Sequence, residues 1–246
     1  MVLHNPHKMN APVNDFLGSY NEMYSDDTEE WRRLGAIRKT ENILELSQGY
    51  IFEKIVKIGA GDGNILSLLS SKGFGKSLTA VEVSESAIRQ IKKKNIPNLF
   101  EIKQVNGNEL PFRDKEFNLA ICSHVLEHVE NPRTTLREIR RISEYQVFEI
   151  PVDFSFRVDK KVKHFLSYGH INIFNPPLFR FLLLSEEFQI IREKFAMYDA
   201  AVNRYATRNN RIKFFMTTIK VLIWKFLPPL MKIKPNTYTV LTTHKG

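Results

Sequence analysis

The chain of 246 residues is 43% hydrophobic and 26% charged and has only 11 glycines and 11 prolines, which excludes collagen-like, disordered and low-complexity classes and allows one domain with a large core. The formal net charge of +9 resides in residues 200–246, which hold nine Lys and Arg and no acidic residue, whereas residues 1–199 are neutral overall. This uneven charge argues against a nucleic-acid surface over the whole protein. It predicts either a local contact with an anionic substrate or membrane face, or a solvated basic face.

The first predicted element is a helix over Thr28–Ser47, inside a helical cap formed by residues 1–50. Thr28 is the N-cap residue, and Glu29 and Glu30 follow it near the positive end of the helix dipole. Short apolar runs then alternate with helical segments, which predicts an α/β fold with a parallel sheet and helices on both faces. The predicted strands are Ile55–Ile58, Leu78–Val83, Phe117–Cys122 and Gln146–Ile150, and the predicted helices are Asn64–Ser71, Glu85–Lys94 and Pro132–Ile142.

The last third of the chain continues with a helix over Pro176–Leu184, which has prolines in its first turn. Two later runs, Phe188–Met197 and Thr237–Thr243, are predicted to be strands that form an antiparallel pair at the end of the sheet. A basic helix near Asn210–Leu227 lies in the insertion between them, residues 200–236. The sequence has no internal repeat and no low-complexity linker, so residues 1–246 are interpreted as a single domain.

The most informative segment is the run Ile-Val-Lys-Ile-Gly-Ala-Gly-Asp-Gly-Asn at residues 55–64. Glycines at 59, 61 and 63 allow a sharp turn and a close approach to a ligand, and the helix that follows offers unpaired N–H groups. The dinucleotide pattern G-x-G-x-x-G requires glycine where Asn64 stands. The segment therefore predicts a nucleotide-type loop, and its spacing disfavours a dinucleotide ligand.

A carboxylate follows this loop at the end of the second predicted strand. Glu82 lies nineteen residues after Gly63, in the run Ala-Val-Glu-Val-Ser. A carboxylate at that place can accept both hydrogen bonds of a ribose diol, although a surface glutamate at a strand end is the alternative. By itself Glu82 suits a dinucleotide as well as any other adenosyl ligand.

Four segments in order make the sequence similar to the class I S-adenosylmethionine-dependent methyltransferases, and specifically to the subgroup with small-molecule substrates. They are IGAGDG (58–63), VEVSESAI (81–88), NELPFRDKEFNLAICSHVLEHVENP (108–132) and GHINIFNPPLFRFLLLSEEFQII (169–191). The resemblance covers roughly residues 50–195. It implies a Rossmann-like, seven-stranded, mostly parallel sheet with helices on both faces and an antiparallel last strand.

The resemblance also implies S-adenosylmethionine as cofactor and a set of residues that bind it. Gly59, Ala60, Gly61 and Gly63 resemble the loop that passes the methionine and ribose portions, and Glu82, followed by Val83, resembles the ribose carboxylate. Asn106 with Gly107 stands where the family usually has an Asp that binds the adenine amino group, and Ser123 lies beside the methyl group. Lys57 stands where an acidic residue is common, so Lys57 and Asn106 both depart from the family pattern.

Histidines are the candidates for a catalytic base, if the acceptor must lose a proton. His124 comes at the carboxyl end of the strand Phe117–Cys122, where open α/β sheets bind their ligands. His170 matches a Gly-His of the family and either faces the substrate or makes a structural hydrogen bond. His128 lies four residues after His124, but no further ligand accompanies the pair in the sequence, so we expect a packed residue there and no metal site.

The basic helix carries an apolar stripe that includes Ile212, Phe215, Ile219 and Leu222, which predicts core packing or a lid, with contact to an anionic membrane through residues 210–234 as the less favoured reading. No run reaches the roughly 18 to 20 apolar residues of a membrane-spanning helix. Cys122 is the only cysteine, which fits a reducing compartment. We therefore expect a cytoplasmic protein with an optional peripheral membrane contact.

The sequence thus predicts a methyltransferase that acts on oxygen or nitrogen of a small-molecule or glycan- or lipid-linked acceptor. Two other functions remain open at this point. Lys57 and Asn106 are compatible with a catalytically impaired cofactor-binding or scaffold protein. An NAD(P)-dependent oxidoreductase is disfavoured by Asn64 and by the lack of a Tyr-x-x-x-Lys pattern.

Overall fold

The computed structural model describes residues 29–105, 109–154, 158–167, 169–197, 200–207, 210–226 and 235–244. The predicted cofactor residues Asn106 and Gly107 lie outside these ranges, as do residues 1–28 of the predicted cap and most of residues 227–236.

A seven-stranded sheet forms the centre of the fold, with strand order β3-β2-β1-β4-β5-β7-β6. Strands β1 to β5 are parallel to one another, and β7 is antiparallel to both β5 and β6. This arrangement confirms the predicted α/β class, the mostly parallel sheet and the antiparallel last strand. The strands are β1 (Lys54–Ile58), β2 (Ser77–Glu82), β3 (Leu99–Gln104), β4 (Phe117–Ser123), β5 (Ser143–Pro151), β6 (Phe188–Ala196) and β7 (Thr237–His244).

Helices connect the strands and cover the sheet. Their bounds are α1 (Glu29–Leu46), α2 (Asn64–Ser71), α3 (Glu85–Lys93), α4 (Pro132–Ile142), α5 (Val162–Leu166), α6 (Pro176–Ser185), α7 (Ala200–Thr207) and α8 (Arg211–Phe226), with a 3₁₀ turn at Val158–Lys161 before α5. Local sequence explains where several of them begin. The side chain of Ser84 accepts a hydrogen bond from the N–H of Ala87, and Asn175 does the same for Leu178, so both cap a helix N-terminus.

The core consists of two apolar layers, one on each face of the sheet. One layer includes Phe148, Phe179, Phe188 and Tyr238, whose rings meet edge-on or tilted in β5, α6, β6 and β7. The other layer joins α1, α2 and α3 to the opposite face through residues such as Ile43, Leu66 and Ile91. Both layers are built by strands that are buried on both faces, as the continuous apolar runs predict.

Two features differ from the sequence-based expectation. Strand β3 was not predicted, because its sequence Leu-Phe-Glu-Ile-Lys-Gln is half polar and the strand lies at the sheet edge, where one face and one side are exposed. The apolar stripe of α8 does not pack in the core: Ile212, Phe215 and Leu222 are all exposed, so core packing is wrong for these side chains. Among the described residues, no helix is long and apolar enough to cross a membrane.

Candidate functional site

The glycine-rich loop leaves the carboxyl end of β1, in the middle of the sheet, where the parallel strand order reverses direction. Gly59, Gly61 and Gly63 all have positive φ, between 58° and 80°. A Cβ atom at Gly59 would lie only 2.4 Å from Cγ2 of Val125, so the loop packs against the turn that follows β4. The backbone N–H of Ala60 donates to the carbonyl of Val81 at 2.9 Å, which ties the loop to β2.

Glu82 stands at the end of β2 and holds this loop in place. Its Oε2 accepts from the N–H of Gly61 at 2.7 Å, and its Oε1 accepts from the N–H groups of Val83 at 2.9 Å and Ser84 at 3.0 Å. A carboxylate has about four acceptor positions, so three backbone donors leave about one. A ribose diol could use that position and share or replace one backbone donor. Loop and carboxylate therefore form one unit, as the spacing predicts.

Lys57 is buried beneath the loop. Its Nζ donates to the carbonyl oxygens of Ile58 and Gly59, both at 2.8 Å. Burial lowers the pKa of Lys57 from 10.5 to about 8, against the attraction of Cys122 and Glu82. The residue that departs from the family pattern thus stabilises the loop backbone from below.

Helix α1 lies over the loop and over the ends of the central strands. Arg32 pairs with Asp62 at 2.8 Å, and Asp62 in turn accepts from the backbone and side chain of Asn64 at the start of α2. Further along α1, Asn42 donates to Glu149 of β5 at 3.0 Å. The structure thus brings one helix against both the glycine-rich loop and the end of β5, a contact that the sequence did not indicate.

A cluster of charged groups fills the carboxyl ends of β4 and β5. Glu149 is buried and accepts hydrogen bonds from Asn42, from Ser123 at 3.3 Å and from Thr239 at 2.8 Å. His124 has φ of 55°, and its Nε2 lies 3.2 Å from Oε1 of Glu149. Its Nδ1 lies 3.3 Å from Oε1 of Glu127. Neither Nε2 of His124 nor the carboxylate oxygens of Glu127 meet the geometry of a hydrogen bond. The attraction between His124 and the two glutamates is therefore mainly ionic.

Charge and burial oppose each other in this cluster. Burial alone raises the pKa of Glu149, but His124, Lys39 and Asn42 outweigh it and hold the pKa at about 2. Burial and the charge of Lys39 lower the pKa of His124, yet the contacts with Glu127 and Glu149 prevail and raise it. His124 therefore favours the protonated form, which suits it to hold a negative or polar group and weakens it as a proton acceptor.

The second predicted catalytic histidine, His170, lies in the loop before α6. Its Nδ1 contacts Oδ2 of Asp153 at 2.6 Å, and its ring meets the ring of His128 edge-on at 4.9 Å. His128 contacts the carbonyl of Gly169 through Nδ1 at 3.0 Å. The backbone N–H groups of Ile171 and Asn172 both donate to the carbonyl of Glu127, which fixes the loop against the turn after β4.

The structure therefore brings most of the predicted site residues to one edge of the sheet. Those from β1, β2, β4 and the loop before α6 lie at the carboxyl ends of their strands or in the turns that follow; they are Gly59, Ala60, Gly61, Gly63, Glu82, Val83, Ser123, His124 and His170. Glu127 and Glu149, which contact His124, were not singled out as site residues in the sequence analysis. Only the position of Glu149 near the end of a predicted strand gave a signal.

Comparisons with known proteins find similarity to methyltransferases. Residues 56–144 match a family model described as a methyltransferase domain. YrhH of Bacillus subtilis is 28% identical over 109 residues, which are 44% of this chain and 58% of YrhH. The ubiquinone/menaquinone biosynthesis C-methyltransferase UbiE of Rickettsia bellii is 28% identical over 127 residues, 48% of this chain and 51% of UbiE. The chain thus spans little more than half the length of these relatives.

Solved structures share the fold at low sequence identity. A SAM-dependent methyltransferase from Archaeoglobus fulgidus has a TM-score of 0.58 and 18% identity, covering 88% of this chain and 97% of that one. The [4+2]-cyclase SpnF has a TM-score of 0.59 and 13% identity, covering 84% and 80%. Because a cyclase shares the fold, the chemistry has to be argued from the site.

Proposed function

Because the chain contains a class I S-adenosylmethionine-dependent methyltransferase domain, we propose that it transfers a methyl group to oxygen or nitrogen of a small-molecule or glycan- or lipid-linked acceptor. One observation carries the proposal: the carboxylate of Glu82 accepts the N–H of Gly61, so the loop after β1 and the ribose-type carboxylate after β2 form a single cradle. The family match over residues 56–144 includes both.

The residues at the cradle fit the cofactor. Glu82 would accept from the ribose hydroxyls, and the loop over Gly59–Gly63 would pass the rest of the molecule closely, because positive φ at three glycines keeps side chains away from it. When bound, S-adenosylmethionine supplies a methyl group on a positively charged sulfur, which is already a good leaving group. The protein then has mainly to align donor and acceptor and exclude water.

His124 and His170 are proposed to work on the acceptor side. The contacts of His124 with Glu127 and Glu149 suit it to orient a polar acceptor, since they raise the pKa of the imidazole. The contact of His170 Nδ1 with Asp153 directs its Nε2 away from the carboxylate. The acceptor is therefore expected to be polar near its reacting atom.

Carbon is the competing acceptor atom, because the UbiE relatives are named C-methyltransferases. The transfer assay therefore uses S-adenosylmethionine labelled in its methyl group, with separate panels of hydroxyl, amine and quinone-precursor acceptors. Labelled product from a hydroxyl or amine supports the proposal. Label found only on a ring carbon overturns the choice of oxygen or nitrogen and leaves the enzyme class intact.

Cofactor binding is tested by calorimetry with S-adenosylhomocysteine. The wild-type chain is expected to bind it, and Glu82→Ala is expected to bind at least tenfold more weakly, because the ribose hydroxyls lose their acceptor. The matched control is Glu101→Gln, a surface carboxylate on the neighbouring strand β3 that pairs with Lys103. If the chain binds NADH but not S-adenosylhomocysteine, the result would instead favour the oxidoreductase. If it binds neither, the result would favour the scaffold role.

We also propose that α8 lies on an anionic membrane, which would bring the site to a lipid-linked acceptor. Phe215, Met216 and Ile219 are exposed on this helix, in a segment of the sequence that has nine basic residues and no acidic one. The test is cosedimentation with vesicles. We expect binding to vesicles that contain phosphatidylglycerol and loss of that binding in Phe215→Asp/Ile219→Asp. Equal sedimentation of both proteins would refute the contact.

A further inference from the structure

Glu127, the buried carboxylate in the turn after β4, has an ionic contact with His124 but accepts no hydrogen bond from the described part of the chain. Its side chain is fully buried, and among the described residues neither of its oxygens accepts a hydrogen bond. The two N–H groups that reach Glu127, from Ile171 and Asn172, bind its main-chain carbonyl instead. A buried carboxylate without a hydrogen bond is costly, so a further positive partner is expected at this place.

Two histidines stand beside this carboxylate. One ligand atom each from Glu127, His128 and His170 lies within 4.8 Å of the others, and Nε2 of His128 is 3.9 Å from Oε1 of Glu127. Ligands of a tetrahedral ion with bonds of about 2.1 Å lie about 3.4 Å apart. Side-chain rotations that move the ligand atoms by about 1 Å would bring them to the separation that an ion requires.

The outer contacts of the two imidazoles match those of metal ligands. Nδ1 of His128 faces a carbonyl oxygen, which can only accept, so this nitrogen carries the proton and donates to Gly169. Nδ1 of His170 faces the carboxylate of Asp153 at 2.6 Å in the same way. In each neutral ring the lone pair is then on Nε2. Metal-binding histidines usually have such a carbonyl or carboxylate behind them.

We propose that Glu127, His128 and His170 bind one divalent transition-metal ion of the zinc class. Two imidazoles and one carboxylate form a known type of ligand set for Zn²⁺ and its neighbours, and such a set leaves coordination positions for water or substrate. The sequence analysis expected no metal, because His124 and His128 lacked a third ligand nearby in the sequence. The third ligand is His170, which the fold brings from more than forty residues away.

The position of the site suggests a role for the ion in methyl transfer, and this role depends on the proposed function. The turn that holds Glu127 and His128 packs against the cofactor loop through Val125, so the ion would lie on the acceptor side. A divalent ion lowers the pKa of a hydroxyl bound to it. The acceptor oxygen would lose its proton to solvent and gain the methyl group as the carbon–sulfur bond breaks. A hydroxyl-bearing acceptor is therefore expected.

The test uses the full chain, freed of metal with a chelator and then titrated with Co²⁺, whose visible absorption reports its ligand geometry. The wild type is expected to bind one equivalent with an intense band that Zn²⁺ removes. Glu127→Gln and His170→Ala should each weaken binding at least tenfold. Asp153→Asn should weaken it about tenfold, because the ligand His170 loses the carboxylate that orients its ring. The matched control is His164→Ala, an exposed histidine of α5 that should bind as the wild type does.

Three results would overturn the proposal: no stoichiometric Co²⁺ or Zn²⁺ in the wild type, unchanged affinity in His170→Ala, or equal loss in His164→Ala. Binding of S-adenosylhomocysteine is measured on the same samples. A chain that binds S-adenosylhomocysteine and no metal refutes the metal site alone, whereas one that binds metal and no S-adenosylhomocysteine refutes the proposed function alone. If Glu127→Gln does not fold, His170→Ala and Asp153→Asn still decide, since both residues are partly exposed.

Discussion

Replacement of Gly59 by alanine tests how tightly the glycine-rich loop is joined to the turn after β4. The residue has φ of 62°, which costs alanine about 1–2 kcal/mol. The added Cβ would also stand 2.4 Å from Cγ2 of Val125. Overpacking of this kind costs about 1–3 kcal/mol. The free energy of unfolding of Gly59→Ala is therefore expected to fall by about 2–5 kcal/mol.

A second substitution separates the two causes. In Val125→Ala the clashing methyl group is gone, and the nearest remaining atom, Cβ of residue 125, is 3.6 Å from the new Cβ, an ordinary contact. Val125→Ala alone should cost about 1 kcal/mol, because the side chain is half-buried. The double variant should then lose about 2–3 kcal/mol, less than the sum of the single losses by about 1–3 kcal/mol.

Urea unfolding followed by circular dichroism measures these differences. Gly49→Ala is the control, because Gly49 has φ of 83° and nothing lies within 4 Å of its added Cβ, so only the backbone cost remains. If Gly59→Ala loses no more stability than Gly49→Ala, or if the effects of Gly59→Ala and Val125→Ala simply add, the loop is not packed against the turn as described.

Two further predictions concern pH. The pKa of Lys57 falls from 10.5 to about 8 on folding, so between these pH values the unfolded chain binds more protons than the folded one. The free energy of unfolding of the wild type should therefore rise relative to that of Lys57→Met from pH 8 to 10.5, by about 3 kcal/mol at most. If urea unfolding gives the same pH dependence for both proteins, the prediction is wrong. The carboxyl of Glu186 is bound by Arg137 and Arg133, which lower its pKa. Glu186→Gln should therefore cost about 1 kcal/mol at pH 7, because the guanidinium groups are half exposed and screened. The cost should shrink as the pH falls through the lowered pKa of Glu186, and a cost at pH 2 as large as that at pH 7 would refute the ion pair as its cause.

The sequence specified those parts of the fold that depend on local patterns. Helices α2 and α4 have the predicted bounds, since a glycine or proline start and apolar spacing suffice to define them. The cradle of Gly61 and Glu82 followed from spacing along two neighbouring strands. Strand β3 was missed because an edge strand needs little apolar sequence.

The histidine and glutamate cluster could not be predicted in the same way. The contact of His170 with Asp153, and of its loop with the carbonyl of Glu127, depends on how the segment before α6 returns to the turn after β4. No periodicity encodes such a contact, because the partners lie on irregular segments far apart in the chain. For the same reason the exposure of the apolar stripe on α8 was visible only in the structure.

The pairing of β6 with β7 has a consequence for how this fold can diversify. Ala196 at the end of β6 faces Thr237 at the start of β7, so the chain departs from the sheet and returns to it at a single point. The chain between these two positions is an insertion, and the pairing of β6 with β7 sets no length for it. Such an insertion can be replaced, or shortened to a tight turn, while the strands keep their register. Related proteins with this fold can therefore acquire new substrate specificities by changing the insertion alone.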